Sequence, residues 1–456
     1  MMPVKNISRR KLLRTIGAGA AGATGLMLAG CRPAAPAAAP SQSAAPTAAG
    51  AAATGDYQGK FVMMSAGNAD QNAPLIKGIE EANPGVKVEW RFLPSERYVE
   101  LFTAAEVAGD QIDIMDLNGQ DLRRYAVGGK LRDLSNIEYK SRFRDVAINT
   151  YKVAGKNWAL PRGGISGFTF LTNKKAFAKV GFDKEPSTYE ELKTLAPEMK
   201  KAGIAMVSHP GKNIYLWPVW QFWAYGQTSG NKSIENTMKT LAGEMKFTAA
   251  EHVAGLETLY NFANDGMFID GVNSLEGDAA WLPFTQGKAA IHFMHTFRIG
   301  AFRTDQAKMP ELDMSLIPPV RVVGDDKILR QMPGGTGNAT GIYAKIKSER
   351  EQAAMKILDL MTSDKWVKWA NELGKDPVSC NANVEASTDE LALKYSKECS
   401  ANQTTYLDWM WPPEITRSFQ ENQQALVAGT KKPNEAAESI QKTLDGLYKD
   451  GYKFQQ

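Results

Sequence analysis

Between Lys60 and Gly129 the spacing of apolar residues changes period again and again, a pattern few folds accept. Phe61 to Ser65 is a short apolar run. Leu75, Ile76, Ile79 and Ala82 then recur at helical spacing and stop at Asn83-Pro84-Gly85. Val86 to Phe92 alternates as a strand, and Tyr98 to Val107 is amphipathic with a stop at Gly109. Ile112 to Leu117 reads as a third strand and Asp121 to Val127 as a third helix, closed by Gly128-Gly129. Strands joined through helices return to the same edge and lie parallel, so a parallel α/β sheet with helices on its faces is expected. Such sheets take ligands at the carboxyl ends of their strands. Here those ends are Ser65 to Asn72 and Leu117 to Asp121, both rich in groups that pair with hydroxyls and that also serve turns and helix caps.

The next landmark is Leu160 to Asn173, L-P-R-G-G-I-S-G-F-T-F-L-T-N. Gly163, Gly164 and Gly167 follow Pro161 and feed an alternating aromatic run. Glycine allows backbone angles closed to other residues, so the stretch reads as a bend or crossover into a strand. Alone it could be an ordinary loop. Its position between two α/β series makes it the expected hinge. The second series has strand candidates at Ile204 to Ser208, Ala289 to Met294, Met314 to Ile317 and Gly341 to Ala344. Its helices are expected over Glu251 to Asn264, Glu349 to Met361, Thr416 to Val427 and Asn434 to Tyr448, with capping boxes at Ser187–Glu190, Thr248–Glu251 and Ser348–Glu351. About 400 residues are too many for one small core, and two lobes are expected.

Ahead of this body lies an export signal. Lys5, Arg9, Arg10, Lys11 and Arg14 bring five cations and no acid, and Ile16 to Gly30 is a weakly apolar run too short to anchor. Ser8 to Arg14, S-R-R-K-L-L-R, carries the twin-arginine export pattern. Leu28-Ala29-Gly30-Cys31 resembles a bacterial lipobox, which makes Cys31 the lipidated residue of a lipoprotein with a signal peptide over 1–30. Arg32 to Gly55 is almost wholly Ala, Pro, Ser, Thr and Gly and cannot bury enough apolar surface to order itself. Residues 31–56 are therefore a tether, spanning roughly 25–30 Å as a flexible coil. The whole chain has a formal charge of +4, less than the leader's cations supply, so the remainder is slightly acidic. Nucleic-acid binding loses its compositional support.

Catalytic signatures are scarce. His209, His252, His292 and His295 are the only histidines, and the last two, three apart on a strand, face opposite ways. No metal, cofactor or catalytic residue is expected: Pro333 to Asn338 is glycine-rich but fits neither a P-loop nor G-x-G-x-x-G. Cys380 and Cys399 suggest a disulfide worth roughly 3 kcal/mol, with two buried thiols as the alternative. Aromatics say more. Tyr215, Trp217, Trp220, Phe222, Trp223 and Tyr225 crowd one stretch, and Tyr406, Trp409 and Trp411 another. Trp220 and Trp223 at helical spacing serve a core, yet indole faces flanked by Asp, Asn and Arg also build carbohydrate sites.

The order strand, helix, N-P-G-V-K-V-E, A-A-E-V-A-G-D and I-D-I-M-D-L resembles the bacterial extracellular solute-binding proteins of the sugar-binding class. The likeness continues through F-L-T-N-K-K-A-F, P-S-T-Y-E-E-L, Phe284 to Ala290 as F-T-Q-G-K-A-A, and Gly334-Gly335-Thr336 to Met361-Thr362-Ser363. It implies a periplasmic-binding-protein-like α/β fold of two lobes joined by a hinge, with a ligand cleft between them. Lobe one would hold 57–164 and 316–362, lobe two 165–315 and 363–456. The resemblance places ligand contacts at Asn68 and Asp70, at Asn118, Gln120 and Asp121, at Arg162, Trp217 and Phe297, and at an aromatic within Tyr406 to Glu414, where Trp409 and Trp411 stand. Trp220, Arg298 and Gly335 are further candidates for the ligand site. At Phe297 the usual N-G-x-W becomes M-H-T-F, which keeps only the aromatic. The expected protein is a monomeric, lipid-anchored, extracytoplasmic binder of a sugar or oligosaccharide that serves an ABC permease. A non-sugar ligand (a glycerophosphodiester, polyamine or oligopeptide) and an exported lipoprotein enzyme are the alternatives.

Overall fold

The three apolar runs at the start become β1 (Gly59–Ala66), β2 (Val86–Leu93) and β3 (Ile114–Leu117). They lie parallel in the order β2-β1-β3, joined by α1 (Ala73–Ala82) and α2 (Tyr98–Ala108), with α3 (Gly119–Val127) after β3. The computed structural model describes residues 57–66, 72–93, 97–117, 119–296, 299–374 and 377–454. These belong to one compact unit, Ala52–Gln456. The leader, Cys31 and the tether lie outside the described residues, as do Asn68, Asp70, Asn118, Phe297 and Arg298.

A small hairpin of β4 (Lys152–Val153) and β5 (Lys156–Asn157) leads into β6 (Leu160–Asn173). Then come β7 (Ala205–Ser208), β8 (Ala289–His295), β9 (Met314–Ile317), β10 (Met332–Ile342), β11 (Val378–Ser379) and β12 (Gln403–Thr404). The main sheet runs β2-β1-β3-β10-β6-β8-β7. It is parallel at its two ends, but β10 and β6 are antiparallel to their neighbours, so it is mixed rather than parallel throughout. The expected strand at Gly341 to Ala344 is only the tail of β10, whose glycine-rich first half reads as loop in sequence.

β6 is buried along its whole length except at Arg162, which explains its small and apolar composition. Residues 160–167 pair with β10, and residues 168–173 pair with β8 and β9. The apolar core divides in the same way. Phe61, Met63, Ile79, Ile114, Leu160, Ile342 and Ile357 form one cluster, in which no residue falls between Leu160 and Ile342. The largest cluster begins only at Phe168 and is built around α4 (Pro218–Thr228), every residue of which from Pro218 to Gln227 is buried. Trp366, Val367, Cys380 and Val384 pack with residues from the first part of the chain.

Two expectations fail here. Thr188 and Glu191 form the capping box of the helix Tyr189–Lys201, one residue later than read, and neither the helix at Ala250 nor the one at Ser348 has a side-chain cap. Cys380 and Cys399 are not joined. The Cys380 amide donates to the Gly163 carbonyl, whereas Cys399 lies beside Thr169. Those two residues of β6 are about 20 Å apart at roughly 3.3 Å per residue, and a disulfide needs Cα atoms within about 7 Å.

Asp113, fully buried, ties the first layers together. Its carboxylate accepts from the Val62 amide at 2.8 Å, from Gln111 Nε2 at 2.7 Å and from Arg350 Nε at 2.6 Å. Arg350 comes from α5 (Ser348–Met361) and is itself buried. Removing one partner strands the other charge, so Asp113→Ala is expected to cost about 3–5 kcal/mol in urea unfolding. The double change Asp113→Leu with Arg350→Met is expected to recover most of that loss.

Candidate functional site

The carboxyl end of β3 carries a second buried acid, Asp116, and its neighbours define the candidate site. Thr340 Oγ1, from β10, donates to Asp116 Oδ1 at 2.6 Å, and Arg162 Nη2, from β6, to Oδ2 at 2.6 Å. The Arg162 guanidinium also lies 5.5 Å from the centre of the Trp90 ring, whose Nε1 donates to Ser65 Oγ at 2.7 Å. Charge-assisted bonds of this kind fix the guanidinium in place and leave its remaining N–H groups for another acceptor.

Further along β10, backbone geometry makes room for aromatics. Gly163 and Gly164 of β6 together oppose the single residue Gly337, because Arg162 pairs with Asn338 and Ile165 with Thr336. The glycine pair is therefore a β-bulge rather than a loop, and Gly163 has φ +91, open only to glycine. Gly167 is glycine for another reason. A Cβ there would stand 2.6 Å from Tyr395 Oη and 2.9 Å from the Pro333 carbonyl oxygen.

Trp409 closes this region from the C-terminal side. It ends the short turn Leu407–Trp409 and is partly buried, with Tyr406 at 4.7 Å and Tyr151 at 6.4 Å between ring centres. Its indole also rests on the first turn of α3, where a Cβ on Gly119 would come within 2.0 Å of it. Gly335 faces both Trp409 and Tyr406. Tyr151 is buried, and its hydroxyl donates to the Thr336 carbonyl at 2.6 Å. The result is a partly exposed indole resting on the first turn of α3, the helix that follows the strand carrying Asp116.

Gly335 and Trp409 meet, while Arg162 lies on β6 opposite Asn338, three residues along β10 from Gly335. Asp121 sits in the first turn of α3, partly exposed, while Gln120 is on that helix with its side chain outside the described set. Trp217, Trp220 and Trp411 do not belong to the surface. Trp217 and Trp220 are wholly buried, donating to the Gly211 carbonyl and to His209 Nε2. Trp411 stacks on Phe419 at 4.0 Å. All three are core, packed in the largest apolar cluster around the enclosed α4. Asp116, Thr340, Trp90, Tyr151 and Gly119 were not read from sequence. Only Asp116 carried a signal, an acid within an apolar strand that must find a partner.

A family model for bacterial extracellular solute-binding proteins matches residues 43–368. The chain belongs to that family. Solved relatives share the fold of this solute-binding protein. A chitin oligosaccharide binding protein superposes with TM-score 0.75 at 19% identity, covering 85% of this chain and 98% of that one. RafE in complex with raffinose gives 0.70 at 16%, covering 85% and 99%. The GacH receptor of Streptomyces glaucescens, solved unliganded and with acarbose, gives 0.68 at 18%, covering 87% and 100%. None of the curated proteins matches by sequence. Among the described residues no group of three or more His, Cys, Asp or Glu is placed to hold a metal ion, and no helix is long and apolar enough to cross a membrane.

Two tests follow from the geometry. Gly119→Ala must push the indole off α3, so Trp409 is expected to become more accessible to acrylamide quenching while stability drops by about 1–3 kcal/mol. Asp408, beside Trp409, has Oδ1 buried without a hydrogen-bond partner, and burial lifts its carboxyl from 3.8 to about 7. Between those pH values the folded chain keeps a proton that the unfolded chain has lost, so stability falls as pH rises through the window. Asp408→Asn is expected to gain on the wild type from pH 4 to pH 7 in urea midpoints and to hold a constant lead above that.

Proposed function

We propose that this solute-binding protein captures a mono- or oligosaccharide between two lobes outside the cytoplasm and hands it to the permease subunits of an ABC importer. The observation that carries the reading is Trp409: a partly exposed indole beside Tyr406, with the Asp116–Arg162 pair held by β3 and β6 on either side of β10. An aromatic face matches the apolar face of a sugar ring, and fixed charged groups with hydroxyls match its edge. The solved relatives named above, with their chitin oligosaccharide, raffinose and acarbose, point to the same class of ligand. An anionic ligand would call on Arg162, but Asp116 already neutralises that cation.

The lobes are 57–164 with 316–362 and 165–315 with 363–456, the segment around Trp366 to Val384 packing against the first. β6 carries the hinge at Gly163, Gly164 and Gly167, and a ligand with contacts on both sides favours the closed form by that difference. Export follows the twin-arginine route, and acylated Cys31 with its tether holds the monomeric body near the membrane.

Titrating the protein with chito-, gluco-, galacto- and xylo-oligosaccharides tests this. One class is expected to raise Tm and change tryptophan fluorescence, adding about 2.7 kcal/mol at a hundredfold excess over Kd. Trp409→Ala is expected to weaken that binding at least tenfold, about 1.4 kcal/mol. The proposal fails if no saccharide moves either signal.

A further inference from the structure

The sugar site leaves unexplained why a histidine is buried at the point where β6 changes partners. His295 is the last residue of β8 and pairs with Phe168, the first residue of β6 beyond its β10 ladder. One ring nitrogen, Nδ1, lies 3.3 Å from Ser166 Oγ, and the other, Nε2, lies 2.6 Å from Tyr406 Oη. Ser166, His295 and Tyr406 are all buried. The Phe168 ring meets both His295 and Tyr406 edge-on, at 5.1 and 6.3 Å, and so braces them together.

We propose that His295 is a positioning residue, which, bonded between Ser166 and Tyr406, sets where the Trp409 indole stands. The turn Leu407–Trp409 is three residues long and has little stability of its own. Its first backbone bond runs from the Trp409 amide to the Tyr406 carbonyl, so the ring of Tyr406 is the anchor from which Trp409 projects. A neutral imidazole offers one N–H and one lone pair, which suits one donating and one accepting partner. Burial depresses the His295 pKa to about 3 and keeps the ring in that neutral form. A residue that only filled space at this place would need neither nitrogen.

As a role in ligand binding, the inference rests on the reading of Trp409 as a sugar platform, but positioning itself can be tested without ligand. With the chain's ten tryptophans replaced by 5-fluorotryptophan, the Trp409 resonance is assigned by its loss in Trp409→Phe. In His295→Leu and in Tyr406→Phe that resonance is expected to shift or broaden, while His295→Gln, which can still bond Tyr406, restores it. An unchanged Trp409 resonance in His295→Leu overturns the proposal. If a saccharide is found, His295→Leu is expected to weaken it roughly tenfold and His295→Gln to recover most of that loss. Wild-type affinity in His295→Leu, with binding lost in Trp409→Ala, also overturns it. If no saccharide binds the wild type, the sugar reading falls and the fluorine spectra alone decide for or against positioning by His295.

Discussion

β6 has to satisfy the backbone groups of fourteen consecutive residues, nearly all of them away from water, and it does so by exchanging one set of partners for another. An unpaired buried amide or carbonyl is costly, so the exchange can occur only where new strands stand ready to take over. β10 and β11 serve the first part, and β8 and β9 the second. The division of the apolar core follows from this handover. Leu160 before it joins the cluster of β1 and β3, and Phe168 and Phe170 after it join the cluster of α4.

Asp113, just ahead of β3, and Asp116 within it show how one short stretch can serve two ends. Asp113 is closed in by Val62, Gln111 and Arg350, and every contact it makes holds layers together. Asp116, nearer the carboxyl end, meets a cation that lies over the Trp90 ring and is itself only partly buried. The difference is one of depth along the strand. A charge needs neutralising in both places, but only near the end of the sheet can the neutralising group also face outward.

Periodicity made the first three strands and their helices legible, because each alternation or helical spacing was complete within its own segment. The central antiparallel pair was not legible. Glycines at 334, 335, 337 and 341 leave β10 with little side-chain pattern, and β6 alternates only from Phe168, its first half being glycine-rich with both faces covered. The sequence offered Trp409 together with Trp217, Trp220 and Trp411, and residue type does not separate the partly exposed indole from the three buried ones. Indoles at a surface and in a core have the same spelling. Tyr151 and Gly119 are defined only by what folds against them, and their roles depend on Trp409 arriving from more than 250 residues away.

The separation of Cys380 from Cys399 along β6 bears on where the protein can be made. A body whose two thiols sit at opposite parts of one strand asks nothing of an oxidant. Burial pushes the Cys399 thiol up to about 12, so it is held as the unreactive, protonated form. Such a body can reach its final shape in a reducing compartment and stay unchanged on meeting an oxidising one. On the twin-arginine route proposed here, which carries cargo already folded, quality control could then finish before the membrane is crossed.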